Sequence, residues 1–189
     1  MKPASSRSGP RVNRIVLSEE DITGAVRRLG SEITRDYRNR NPVVVGVLNG
    51  AFFFTCDLIR RIETPVTLDF LSLRRFCLEN SANRQVEITR DLEESVEDRE
   101  VLIVEDLVDT GLSLNYLCQV LEDRKPRSVA ICSLLDRPQL RLVELPLKYR
   151  GFEVDDQFLV GYGLDFQGHF RGLPYVATVE QVPDTLQVA

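Results

Sequence analysis

The chain has 189 residues, 43% of them hydrophobic and 28% charged, and a formal charge of −5. That length fits one domain with a sizeable core, and the excess of acids argues against a nucleic-acid partner, which calls for a net basic face. No apolar run approaches the roughly 20 residues that span a bilayer, so no membrane partner is expected.

Residues 1–13 carry Lys2, Arg7, Arg11, several serines, Pro3 and Pro10. They lack the apolar h-region of a secretory signal. No acid precedes Glu19, as in a transit peptide, yet the two prolines work against the amphipathic helix such a peptide needs. A disordered tail is expected over 1–13, with a single domain over 14–189. The four cysteines, Cys56, Cys77, Cys118 and Cys132, are far apart in sequence. They form no zinc or redox pair, which fits a reducing, cytoplasmic setting.

Ser18-Glu19-Glu20-Asp21 predicts a helix start, a hydroxyl cap with an acid three residues on. Ile22, Val26, Leu29 and Ile33 supply its apolar face, and Asn41-Pro42 ends it. The continuous apolar run Val43–Leu48 predicts a strand buried on both faces. Asn49-Gly50 is its turn, and Ala51–Arg61 predicts a helix. Val66–Leu73 is a second strand. Between Arg74 and Gln85 polar residues dominate, which fits either a long hairpin loop or a lid. Val86 and Ile88 suggest a short returning strand. The acid-rich stretch Asp91–Glu100 reads as a solvated turn.

Val101-Leu102-Ile103-Val104 begins the most informative stretch. Glu105, Asp106 and Asp109 follow, then Thr110-Gly111-Leu112-Ser113. Leu114, Leu117, Cys118 and Leu121 then recur at helical spacing. A strand therefore ends in acids, and a small-residue loop opens a helix. Such a loop and helix N-terminus suit a phosphate, and the acids suit sugar hydroxyls, Mg²⁺ or a proton. Val129–Leu135 predicts another buried strand, ending at Asp136-Arg137-Pro138. Phe158–Tyr162 is a further strand ending at Gly163-Leu164-Asp165, and Tyr175–Val179 a last one. Strands alternating with helices predict an α/β fold with a mainly parallel sheet. If all four strands are parallel, the loops at Asn49, Asp106–Ser113, Asp136 and Asp165 share one rim, where ligands bind.

Asp109-Thr110-Gly111 also matches the acid motif of aspartic proteases. That reading needs two such motifs in an all-β chain, whereas here Leu112 and a helix follow. His169, the one histidine, sits in a loop without periodic context. Arg171 is either a phosphate clamp or a plain surface arginine. The common nucleotide fingerprints with glycines at fixed spacing are absent. The residues alone reach an α/β enzyme that handles Mg²⁺ and phosphate.

Four segments, in order, resemble the type I phosphoribosyltransferases, and among them the hypoxanthine-guanine enzymes. Val43–Phe54 with Asp57–Arg60 is similar to the family's first strand and pyrophosphate loop. Val101–Ser113 is similar to its ribose-phosphate loop, and Ser133–Pro138 to the strand bearing the purine-reading base. Phe158–Phe166 with Phe170-Arg171 resembles its C-terminal purine and metal segment. The likeness runs from about Ile15 to Val179. It implies a mainly parallel twisted sheet flanked by helices, with a small hood segment and a mobile hairpin loop.

The resemblance further implies transfer of 5-phosphoribosyl from phosphoribosyl pyrophosphate to N9 of hypoxanthine or guanine, giving IMP or GMP and pyrophosphate. It implies Asp109 as the general base at purine N7. Glu105, Asp106, Asp109, Thr110, Gly111, Leu112 and Ser113 would bind the ribose and its 5′-phosphate. Asn49, Gly50, Arg171 and Arg75 would bind pyrophosphate, with the Leu48 backbone beside them. Arg137, Phe158, Leu159 and Asp165 would bind the purine. Glu105, Asp106 and Asp165 would hold Mg²⁺. A homodimer or homotetramer is implied as well. The chain departs from the family pattern at Asn49 and Arg137, where lysines are usual, and at Arg75-Phe76, where the mobile loop carries Ser-Tyr. The other class of function is a non-catalytic, regulatory binder of phosphoribosyl pyrophosphate or nucleotide. It would keep the phosphate loop without needing the base or the lid.

Overall fold

The computed structural model describes residues 10–77 and 84–180, and at 75–77, 84 and 85 the backbone alone. Six strands form the main sheet, in the order β4-β3-β2-β5-β6-β7. They are β2 (Val43–Leu48), β3 (Thr67–Cys77), β4 (Arg84–Arg90), β5 (Glu100–Val108), β6 (Ser128–Asp136) and β7 (Leu147–Glu153). All neighbours are parallel except β4, which returns antiparallel beside β3. The central strands read as unbroken apolar runs because both faces are covered. Val44, Leu102 and Val104 face α1 (Glu19–Asp36) and α2 (Phe52–Ile59). Val43, Val45, Val101 and Ile103 face α3 (Leu112–Glu122).

Helix α1 starts where its residues predict. Ser18 Oγ accepts from the Asp21 N–H at 3.2 Å, and the Asp21 carboxylate accepts from the Ser18 N–H at 2.9 Å. From β2 the chain steps to β3 on one side, then crosses back so that β5 lies on the other. The reversal makes the gap between β2 and β5 the topological switch point, where a cleft opens at the strands' carboxyl ends.

Three expectations need correction. Phe158–Tyr162 is not a strand of the parallel sheet. Only Leu159–Val160 is strand (β8), and it pairs antiparallel with β9 (Val176–Glu180) in a separate sheet, order β1-β9-β8. Asp165 therefore reaches the cleft from a small hood rather than from the sheet's own rim. Residues 11–13 are strand, not tail: β1 (Arg11–Leu17) pairs with β9. Its mixed sequence shows no clean alternation that would mark it, because most of its side chains face solvent and its order comes from backbone pairing. The acidic stretch after β4 is more than a solvated turn. Val96 is buried in the core, and Asp91 pairs with Arg124 beyond the end of α3, both carboxylate oxygens at 2.8 Å. Strand β7 was also missed. Its buried Tyr149 donates its hydroxyl to Asp36 at 3.0 Å, tying the sheet edge to α1.

Candidate active site

Two loops lie side by side at the switch point. Asn49-Gly50 follows β2 across a cis Leu48–Asn49 peptide, and Asp109-Thr110-Gly111 follows β5. Gly50 is wedged from both sides. A Cβ on it would overlap the Asp106 carboxylate, and a Cβ on Gly163 would overlap the Gly50 carbonyl. Gly163 also holds φ +103°, a conformation that suits glycine. Main chain thus packs on main chain where the hood meets the sheet.

Glu105 lines a cavity of about 140 Å³ with Leu48, Asp109, Gly111 and Ser113, while Asp106 reaches Gly50. Burial pushes the Asp106 carboxyl up from the ordinary range. A hydrogen bond with Glu105, the Leu107 N–H at 2.8 Å and the Arg171 charge oppose that rise. The two neighbouring carboxyls offer oxygen donors of the kind a divalent cation takes.

Gly111, at φ +82°, caps α3 without a side-chain acceptor. The first amides of the helix carry its positive end, which suits a phosphate. Asp109 stands at the loop's start, its Oδ1 2.8 Å from Arg137 Nη1. Arg137 is nearly buried, and its guanidinium also donates to the Gln157 carbonyl. Gln157 precedes Phe158, whose ring meets Phe166 edge-on at 5.6 Å. One guanidinium therefore joins the β5 loop to the segment entering the hood. At the far wall Arg171 pairs with Asp165 at 2.5 Å and donates to the Gly163 carbonyl at 2.5 Å, and Asp165 accepts the Gly168 N–H at 2.6 Å. Tyr162 fastens the hood to α2 by donating to Asp57 at 2.7 Å.

The phosphoribosyl transferase domain family matches residues 15–167. The hypoxanthine-guanine phosphoribosyltransferase of Bacillus subtilis is 40% identical over 169 residues, covering 89% of this chain and 94% of that one. The chain belongs to the hypoxanthine-guanine phosphoribosyltransferase family. The hypoxanthine phosphoribosyltransferase of Haemophilus influenzae is 40% identical over 168 residues, covering 87% of this chain and 94% of that one. The crystal structure of a hypoxanthine phosphoribosyltransferase from Staphylococcus aureus superposes with a TM-score of 0.85 at 38% identity. It covers 89% of this chain and 92% of that one. The type I phosphoribosyltransferase fold expected from the resemblance, parallel sheet with hood, is the fold observed.

Within that family frame the candidate residues gather in three groups. Glu105, Asp109, Gly111 and Ser113 share the small cavity. Arg137, Asp109 and the Gln157–Leu159 segment are linked by the guanidinium. Asn49-Gly50, Asp106, Asp165 and Arg171 meet around the Gly50–Gly163 contact. Asp165 faces Arg171 and the Gly168 amide, apart from the Arg137 group. The backbone of Arg75-Phe76 runs in β3, and their side chains lie outside the described residues. His169 is an exposed turn residue, as its context indicated. Three contributors were missed in the sequence: the Gln157 carbonyl, the Tyr162–Asp57 bond and Arg141, whose Nε donates to the Asp109 carbonyl at 3.2 Å. The first and third act through main chain, and the second joins side chains 105 positions apart.

Proposed function

We propose that the chain is a purine-salvage phosphoribosyltransferase, moving 5-phosphoribosyl from phosphoribosyl pyrophosphate to N9 of hypoxanthine or guanine. The products are IMP or GMP and pyrophosphate. The observation that carries the proposal is the Asp109–Arg137–Gln157 link. It holds a carboxylate and a guanidinium together between a phosphate-ready helix start and an aromatic side chain.

In this reading Phe158 stacks on the purine and the Leu159 backbone meets its Watson–Crick edge. Arg137 donates to the 6-oxo group, and Asp109 accepts the N7 proton as the purine ring becomes positive. The amides and hydroxyls from Thr110 to Ser113 hold the 5′-phosphate. Asn49, Gly50, Arg171 and Arg75 receive the pyrophosphate. The transition state is loose, so these groups act mainly by positioning and by meeting charge where it develops. Glu105 and Asp106 would hold one Mg²⁺ and Asp165 a second, and these would supply positive charge to the ribose and pyrophosphate oxygens. Mg²⁺ keeps water and takes only one or two carboxylates with substrate oxygens, which suits this sparse set. Among the described residues no three His, Cys, Asp or Glu side chains form a closed metal cage.

Assembly as a homodimer or homotetramer is proposed as well, supported by the exposed Phe52 and Phe53 on α2. A cytoplasmic setting is supported by the unpaired Cys56, Cys118 and Cys132. Among the described residues no helix is long and apolar enough to cross a membrane. The test is a purine panel assayed with phosphoribosyl pyrophosphate and Mg²⁺. Turnover of a 6-oxopurine is expected, lost on Mg²⁺ removal and reduced in Glu105→Gln. Saturable binding without turnover of any purine would instead make the chain a sensor.

A further inference from the structure

Arg141 belongs to none of the substrate groups above, yet it grips the loop that carries the base. It follows a 3-10 turn (Pro138–Leu140) after β6. Its guanidinium pairs with the Asp136 carboxylate, which is fully buried and also lies 2.9 Å from Arg150 Nε. Its Nε donates to the main-chain carbonyl of Asp109 at 3.2 Å. The next residue continues the grip, with the Leu142 N–H donating to the Thr110 carbonyl at 3.0 Å. Arg141 Cδ also lies 2.9 Å from where a Gly111 Cβ would stand.

The register of β5 with β6 ends at Val108 and Asp136, so the carbonyls beyond need other partners. A trans peptide is planar, with its C=O and N–H pointing in opposite directions. Pulling the Asp109 carbonyl toward Arg141 therefore turns the Thr110 N–H away from Arg141. Pulling the Thr110 carbonyl toward Leu142 turns the Gly111 N–H the same way. Consecutive amides aimed to one side form an anion-binding concavity.

We infer that Arg141, locked in place by Asp136, is a positioning residue that aims the Thr110 and Gly111 amides at the 5′-phosphate. This role rests on the phosphoribosyl-transfer reading. Asp109 is thereby held at both ends, its carboxylate by Arg137 and its carbonyl by Arg141.

The test compares wild type, Arg141→Gln, Arg141→Lys and Asp136→Asn by steady-state kinetics, GMP-binding calorimetry and melting temperature. Arg141→Gln is expected to raise KM for phosphoribosyl pyrophosphate and Kd for GMP about tenfold or more, the effect of misaiming a hydrogen bond to a charged group. KM for the purine is expected to stay within about twofold, since Arg141 meets Asp109 only at its main-chain carbonyl, while the purine-facing carboxylate is held by Arg137. Arg141→Lys keeps a cation for Asp136 but loses the planar fork. It should recover melting temperature more fully than phosphate-side affinity, and it carries the test if the Gln variant does not fold. Asp136→Asn should show the same split at smaller size. A fall in melting temperature with both KM values and the GMP affinity unchanged would overturn the role, as would an equal rise in both KM values. A wild type without turnover would fail the functional reading, while the GMP affinities would still decide the role of Arg141.

Discussion

The two strand-loop-helix units at the switch point begin alike and are held differently. Both run from a buried strand into a helix that lacks a side-chain N-cap. The β2 unit is fixed by shape: Gly50 is caught between the Asp106 carboxylate and the Gly163 backbone. The β5 unit is fixed by polar ties to the next loop, through Arg137, Arg141 and the Leu142 amide. A loop that only receives a ligand can be held by sterics. A loop that must aim a carboxylate and several amides at once needs direction, and hydrogen bonds supply it.

The comparison breaks most sharply at Asp109. Asp109→Asn is expected to lower kcat by about 10² to 10⁴, the usual worth of a general base, with little change in folding. Single-turnover assays at saturating substrate check it. Gly50→Ala tests the steric side. The added methyl would push the Asp106 carboxylate aside, so weaker binding of phosphoribosyl pyrophosphate is expected, with a stability loss of at most about 1–3 kcal/mol in denaturant unfolding. If Gly50→Ala proves harmless, nesting does not hold the β2 loop. Tyr162→Phe removes the bond to Asp57 and should cost about 1 kcal/mol in denaturant unfolding, with kcat nearly unchanged.

The smallest effect is at the far end of the β5 unit. The Arg124 hydrogen bonds, chiefly, and the Leu92 amide hold Asp91 below its usual 3.8, with desolvation opposing. A depressed carboxylate stabilises the fold above its unfolded value and loses that contribution as pH falls through the folded one. Asp91→Asn should therefore lower the melting temperature at pH 7, and the gap should close as pH drops below about 4, where the unfolded carboxyl gains its proton. The pair is half exposed, so its worth is below about 1 kcal/mol.

What could be read from the residues alone follows from how each part is encoded. The core strands of the parallel sheet and the three helices leave periodic or continuous apolar signals, because side chains bury them. The acids and the Thr-Gly turn are legible because their chemistry is local. The hood was misplaced because β1 and β8 owe their order to main-chain pairing with β9, and no pattern in Arg11–Leu17 announces that partner. Arg137 and Asp109 were each legible, but not their pairing, since they lie 28 positions apart. Arg141 was invisible because its work is done on a carbonyl.

The contact between Gly50 and Gly163 limits how this enzyme can be redesigned. Hood and sheet are separated there by one main-chain thickness, a spacing that side-chain choice can neither pad nor trim. In a library selected for altered substrates these two codons should stay fixed while their neighbours drift. On the side proposed for the purine the spacing is set instead by the side chains of Arg137 and Phe158, which can be exchanged for residues of other size.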